Sequence, residues 1–314
     1  MSCERPFLVL NPRYRNLTDK EIRDYAFETF GLLRPPDEFV ECPCGTCKGC
    51  EKSKQYEYSM RLQYELASHP PDTSLFVTLT FTDESLEEHI NDLNKPVLRF
   101  LDVLRKRYGK QIRHWFVCEF GSLRGRPHYH GILFDCPREL IEAFDPKCVG
   151  YHSILSPLWK HGISFVGYVN PDTCKYVSKY VTKSLNAGIK RPRLISSFGI
   201  GKSYIDDHGL DHKNRDGLDP LITFSGKPMP LPRYYHNKIF TPTDRKQLAL
   251  DRWKDGKWYW QGVEYSSKEE RDAARKRTLS SNIRNGLTVQ KGTKRNKHRL
   301  FESAFVSFCS FLNG

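Results

Sequence analysis

HWFVCEFGSLRGRPHYHGILF, residues 114–134, decides how this chain folds. HWFVCEF (114–120) and HYHGILF (128–134) are rich in aromatic and β-branched residues. Between them GSLRGRP supplies two glycines, two arginines and a proline. The stretch therefore reads as a β-hairpin with a long basic loop. Side chains alternate along a strand, so His128 and His130 share one face, ~6.6 Å apart along the chain, and Tyr129 points to the other. Two imidazoles so placed can close on one divalent ion; two surface histidines are the plainer reading. Glu119, on the partner strand, is in reach as a third, oxygen ligand, as a group behind the ligands, or as a partner for an arginine. Arg124 and Arg126 in the loop suit phosphates.

Working outward, LFVTLTF (75–81) is a strand. KPVLRFLDVLRKRYG (95–109) is a helix, with Pro96 in its first turn, Leu98, Leu101 and Leu104 as its stripe, and Gly109 as its stop. EKSKQYEYSMRLQYELASH (51–69) has helical composition and is broken by Pro70-Pro71. A short helix is expected around 138–144 and a strand at ISFVGYV (163–169). Asn170-Pro171 then opens another helix, with Asn as cap and Pro in the first turn. The order β, α, β, β, α, β, α predicts an α+β protein whose antiparallel sheet carries helices on one face. Three regions are expected: a Cys-rich element and helix (1–70), a central domain (71–190), and a basic C-terminal region (191–314), Gly/Pro-rich at first, without clear period.

The helix after Asn170 carries YVSKYVTK (176–183), in which Tyr176-Val177-Ser178-Lys179 is nearly repeated by Tyr180-Val181-Thr182-Lys183. In a helix the two tyrosines are ~5–6 Å apart; in a strand they would be ~13 Å apart. Only the helical spacing brings both phenols to one reaction centre. A phenol can attack a phosphodiester if the developing charge is neutralised, and Lys179 and Lys183 stand one turn beyond each tyrosine. Packing aromatics are the commoner meaning of such a pair.

The chain of 314 residues has a net charge of +13, with 38% apolar, 28% charged and 13% aromatic residues. That balance favours a folded protein acting on a polyanion, nucleic acid ahead of a membrane surface. MSCERPFLVL lacks the apolar core of a signal peptide, and no apolar run reaches the ~18 residues of a membrane span. Ten cysteines then read as reduced thiols or metal ligands, not disulfides.

LFVTLTF, RPHYH and YVSKYVTK, in that order and at these intervals, resemble the three motifs of the HUH endonucleases that initiate rolling-circle replication. The closer resemblance is to the initiators of microviruses, small single-stranded DNA phages, especially the gokushovirus branch; the cluster PCGTCKGC and the paired tyrosines suit that branch. The likeness spans roughly residues 40–205. It implies an HUH fold on a ferredoxin- or RRM-like sheet. His128 and His130 become metal ligands for Mg²⁺ or Mn²⁺, Tyr176 and Tyr180 nucleophiles, and Lys179 the lysine between them. It also implies single-stranded and supercoiled origin DNA as substrate, host helicase and polymerase as partners, and the host bacterial cytoplasm as the place of action. A second tyrosine is what rolling-circle synthesis needs, because the regenerated origin must be cut while the first tyrosine still holds DNA.

Other signals are weaker. FGIGKS (198–203) lacks the P-loop's earlier glycine, since that position is Ser196, so a turn and no nucleotide cofactor are expected. Cys42, Cys44, Cys47 and Cys50 form C-x-C-x2-C-x2-C. They make either a structural zinc site, with a further ligand from elsewhere, or reduced thiols in a turn. The basic segment 268–299 is expected to contact DNA. A transposase or relaxase would share the His pair and a tyrosine. A non-catalytic nucleic-acid-binding module would need neither. A histidine-triad hydrolase would want His at Ile132.

Overall fold

The computed structural model describes residues 3, 5–11, 14–35, 38–109, 112–121, 125–145, 150–182, 192–215, 221–254, 256, 258–260, 263–267, 269–274 and 276–277. It divides into two compact units, chiefly Cys3–Lys246 and Gln247–Gly314. The first unit opens with β1 (Phe7–Leu10), α1 (Asp19–Phe30), β2 (Phe39–Cys42) and α2 (Lys48–Ala67). Its centre is β3 (Leu75–Thr80), α3 (Asp83–His89), α4 (Asn94–Tyr108), β4 (Arg113–Phe120), β5 (Pro127–Phe134), α5 (Arg138–Glu142), α6 (Leu155–Leu158), β6 (Ser164–Tyr168) and α7 (Pro171–Lys179). β7 (Ile195–Ser196), α8 (Ser203–Asn214), β8 (Leu221–Ile222), β9 (Pro228–Met229), α9 (Arg233–Ile239) and α10 (Pro242–Lys254) follow. In the second unit β10 (Trp258–Trp260) pairs with β11 (Val263–Tyr265), and Arg271 lies over the Trp258 ring.

The hairpin forms as expected: β4 and β5 pair in antiparallel register from Arg113↔Phe134 to Phe120↔Pro127. They sit in a five-stranded antiparallel sheet of order β6-β3-β5-β4-β7. β3 and β5 occupy its interior, and both are buried along most of their length. Alternation along β3 sends Leu75, Val77 and Leu79 into one core and Phe76 into another.

The first core holds α4, α5 and α6 through Val97, Phe100, Leu104, Leu140 and Leu155. The second holds Leu62 of α2 and Cys174 and Val177 of α7 against Phe76, Trp115, Ile132 and Phe134. Helices thus cover both faces of the sheet, not one as the element order predicted. The helices within the β-α-β-β-α-β stretch lie on one side. α7 folds back over the other because its apolar stripe has Trp115 and Ile132 to bury, and α2 packs beside it.

The stripe expected for α4 is also shifted. Val97, Phe100 and Leu104 are buried, Leu101 is partly buried, and Leu98 is exposed. β1, β2, α1, α3 and the elements beyond residue 190 had no clear sequence period. β1 is exposed on most positions, so little burial patterns its residues.

FGIGKS makes the expected turn, with Gly199 and Gly201 at φ of 69° and 74°. A Cβ at Gly201 would stand 2.6 Å from the Arg61 carbonyl oxygen, so the turn can press directly onto α2. Its amide donates to Glu65 Oε2 at 2.7 Å, and Arg61 Nε donates to the Ile200 carbonyl at 3.1 Å.

Glu65 is buried within α2, where it also accepts from Arg113 and contacts His69 Nε2 at 3.2 Å. Burial alone would raise its pKa, but the bonds from His69, Arg113 and Gly201 hold it at about 2, against an ordinary 4.5. A depressed carboxyl pKa stabilises the fold above the unfolded value, and that contribution disappears as pH falls from 4.5 towards about 2. The difference corresponds to roughly 3 kcal/mol. Glu65→Gln is expected to cost ~2–3 kcal/mol in urea unfolding at neutral pH, less than a fully buried pair because Arg113 keeps some solvent. The acid limb should flatten in the variant; superimposable pH–stability curves would refute the role of this carboxylate.

Candidate active site

The β4–β5 register sets Glu119 directly opposite His128, with His130 two residues further on the same face. His128 Nε2 and His130 Nε2 lie 3.2 and 2.8 Å from the same oxygen, Glu119 Oε2. One ligand atom from each of the three residues falls within 4.8 Å of the other two. His130 and Glu119 are buried and His128 is half-buried.

The outer ring nitrogens are also engaged. His128 Nδ1 is 3.3 Å from the Arg126 carbonyl, and a carbonyl can only accept. That bond leaves Nε2 as the unprotonated, ligating nitrogen. His130 Nδ1 is 3.0 Å from Thr78 Oγ1, its cross-strand neighbour on β3. Such outer bonds orient imidazoles at metal centres. Two nitrogens and a carboxylate oxygen fit a divalent cation of the first transition row or Mg²⁺.

α7 brings the tyrosines to this group. Asn170 and Thr173 form a reciprocal cap and Pro171 fills the first turn, as the sequence predicted. The helix ends at Lys179, so Tyr180 is its C-cap. The amides of Tyr180, Val181 and Thr182 bond back three residues, which tightens the last turn. The two tyrosine rings lie 5.1 Å apart, edge to face. Tyr180 stacks on His130 at 4.4 Å, whereas Tyr176 meets the same imidazole edge-on at 5.8 Å. Phe76 supports His130 from another side at 6.0 Å. Burial, then Tyr176 and Glu119, push the Tyr180 phenol well above its ordinary range. The matched tetrapeptides therefore do not have matched surroundings.

The structure brings Glu119, His128, His130, Tyr176 and Tyr180 together. Lys179 is exposed on α7. The Arg126 guanidinium pairs with Asp83 and donates to the Phe81 carbonyl, which ties the hairpin loop to the end of β3. Arg124, Lys183 and residues 278–314, which include most of the basic segment, lie outside the described residues. Thr78 and Phe76 were missed as individual site residues. Their signal was the alternation of VTLT beside an H-x-H strand, which needs the strand register to be read.

The cysteine cluster differs from expectation. Cys44, Cys47 and Cys50 converge with Cys3, while Cys42 belongs to β2 and is not in the group. Four consecutive ligands in nine residues are crowded, and β1–β2 pairing carries the start of the chain to the cluster instead.

Among the described residues no helix is long and apolar enough to cross a membrane. Residues 74–185 match the family model of the replication-associated protein ORF2. Over 311 residues the chain is 26% identical to the replication-associated protein ORF2 of Spiroplasma virus 4, spanning 89% of this chain and 88% of that protein. It is 24% identical to the replication-associated protein VP4 of Bdellovibrio phage phiMH2K, over 80% of this chain and 81% of the other. It is 25% identical to the replication-associated protein ORF4 of Chlamydia phage 1, over 76% and 59% of the two chains. No solved structure matches the chain. Through the segment that carries the central sheet, the His–Glu group and both tyrosines, the chain belongs to the family of the replication-associated protein ORF2.

Proposed function

We propose that this protein initiates rolling-circle replication by nicking one strand of a phage origin through tyrosine transesterification. The reading rests chiefly on one observation: two phenols four residues apart converge on the imidazole of a His–Glu–His group. A packing pair of tyrosines has no need of buried histidines sharing a carboxylate. A nucleic-acid-binding sheet without chemistry has no need of either.

In the proposed step a tyrosine oxygen bonds to the scissile phosphorus as the bond to O3′ breaks. The phenol proton ends on the released 3′ oxygen, so a 3′ hydroxyl primer and a 5′-phosphotyrosine result. Ester bonds are conserved, and no nucleotide is consumed. Glu119, His128 and His130 would hold Mg²⁺ or Mn²⁺, which supplies positive charge to the scissile phosphate. β3 keeps the imidazoles oriented through Thr78, and α7 keeps both phenols on the same side of the sheet. Lys179 adds positive charge on the exposed flank of that helix. The second tyrosine then cuts the regenerated origin, and the 3′ hydroxyl closes the circle.

The test is incubation of the purified protein with single-stranded origin oligonucleotide and Mn²⁺. The expected result is a covalent adduct that survives denaturation and maps to peptide 175–182, with none formed in excess chelator. Binding without any adduct would favour the non-catalytic module.

A further inference from the structure

We propose that Cys3, Cys44, Cys47 and Cys50 bind a zinc ion that pins the start of the chain to the N-terminus of α2. By that route zinc braces the helix against which the tyrosine-bearing α7 packs. The inference concerns a site remote in sequence from the His–Glu group.

The four sulfur atoms lie within 4.8 Å of one another. None of the four is in a disulfide, so no covalent bond explains the grouping. A tetrahedron with Zn–S bonds of ~2.3 Å has edges of ~3.8 Å. Cys3 Sγ and Cys47 Sγ are 3.7 Å apart, the separation that such an edge requires.

The backbone is arranged for thiolates. The amide of Cys44 donates to Cys3 Sγ at 3.2 Å, that of Cys47 to Cys44 Sγ at 3.4 Å, and that of Cys50 to Cys47 Sγ at 3.5 Å. Each donor offsets charge on a different sulfur. Gly45, at φ 76°, permits the tight turn between the ligands Cys44 and Cys47. Cys47 is the N-cap of α2, a helix of 20 residues, so the positive end of its dipole also faces the cluster. Lys48, Lys52 and Lys54 add positive charge to the first turns of the helix. Neutral thiols would need none of this.

The consequence runs along α2. Two turns beyond Cys47, Gln55 donates to Thr182 Oγ1 at 2.6 Å, within the second copy of the doubled tetrapeptide. Further on, Leu62 shares a core with Val177 and Val181, and Tyr58 and Leu66 pack against it. A helix anchored at its N-terminus by metal presents a fixed surface to α7.

The test is zinc content of the full chain by mass spectrometry, in a His128→Ala/His130→Ala background that removes the other candidate metal group. About one zinc per chain is expected. Cys3→Ser should weaken zinc retention by more than the ~10–100-fold that loss of an outer partner costs, and Cys42→Ser should leave it unchanged. Cobalt reconstitution should give the thiolate charge-transfer absorption of a tetrahedral site, reduced in Cys3→Ser. Amide protection across 171–182 should fall when zinc is removed. A metal-free chain with no cobalt signal would overturn the site. Loss of zinc in Cys42→Ser with retention in Cys3→Ser would overturn the ligand assignment. Unchanged protection of α7 after zinc removal would overturn the bracing role.

Discussion

A protein carrying both Tyr176→Phe and Tyr180→Phe forms no covalent adduct with origin DNA. Phenylalanine keeps the ring contacts with His130, at 4.4 and 5.8 Å, and so keeps the packing of α7. It has no oxygen to attack phosphorus. The rate of adduct formation should drop by ~10⁴-fold or more, the scale of loss when a nucleophile is removed. Each single variant should retain some single-turnover cleavage, because the second ring is only 5.1 Å away. The two single variants should nonetheless differ. Tyr180 sits at the tightened end of the helix, stacked on His130 and influenced by Glu119, whereas Tyr176 meets His130 only edge-on. Tyr180→Phe is therefore expected to be the slower of the two, and both should fail to release a closed circle. An adduct in the double variant, mapped to another residue such as Tyr168, would dismiss this pair as the nucleophiles.

His128→Ala should abolish metal-dependent cleavage while changing single-stranded DNA binding by less than ~10-fold, since phosphate contacts elsewhere carry affinity. His128 is the cleaner of the two histidines to replace. His130 is buried between Phe76 and Tyr180, so its removal also leaves a cavity under the tyrosine helix. Thr78→Val separates orientation from ligation. It preserves strand packing but removes the partner of His130 Nδ1, and should weaken Mn²⁺ activation by ~10–100-fold without eliminating it at saturating metal. A His128→Ala protein that cleaves like the parent at every Mn²⁺ concentration would end the metal assignment.

Short-range patterns carried much of this protein openly. The hairpin was legible because aromatic and β-branched runs flank a Gly/Pro loop, and the facing of His128 and His130 follows from the two-residue period of a strand. The start of α7 was legible because capping is a local hydrogen-bond problem that Asn170, Pro171 and Thr173 solve among themselves. The four-residue spacing of the tyrosines likewise needed only helical geometry.

What the sequence could not contain was the register between segments. Glu119 stands opposite His128 because the hairpin closes in one register, and Thr78 stands opposite His130 because a strand distant in sequence aligns beside it. Helices lie on both faces because α2, before the first central strand, finds its partner in α7, after the fourth. The same logic exchanged Cys42 for Cys3: pairing of β1 with β2 brings distant residues together and commits Cys42 to a strand. The repeat YVSKYVTK predicted equivalent tyrosines, since local sequence is nearly all they share. Their inequivalence arises from position along one helix, where Tyr176 is held within a regular turn and Tyr180 caps the end. Local sequence determines which side chains can share a face; burial and pairing of distant segments decide what each side chain meets there.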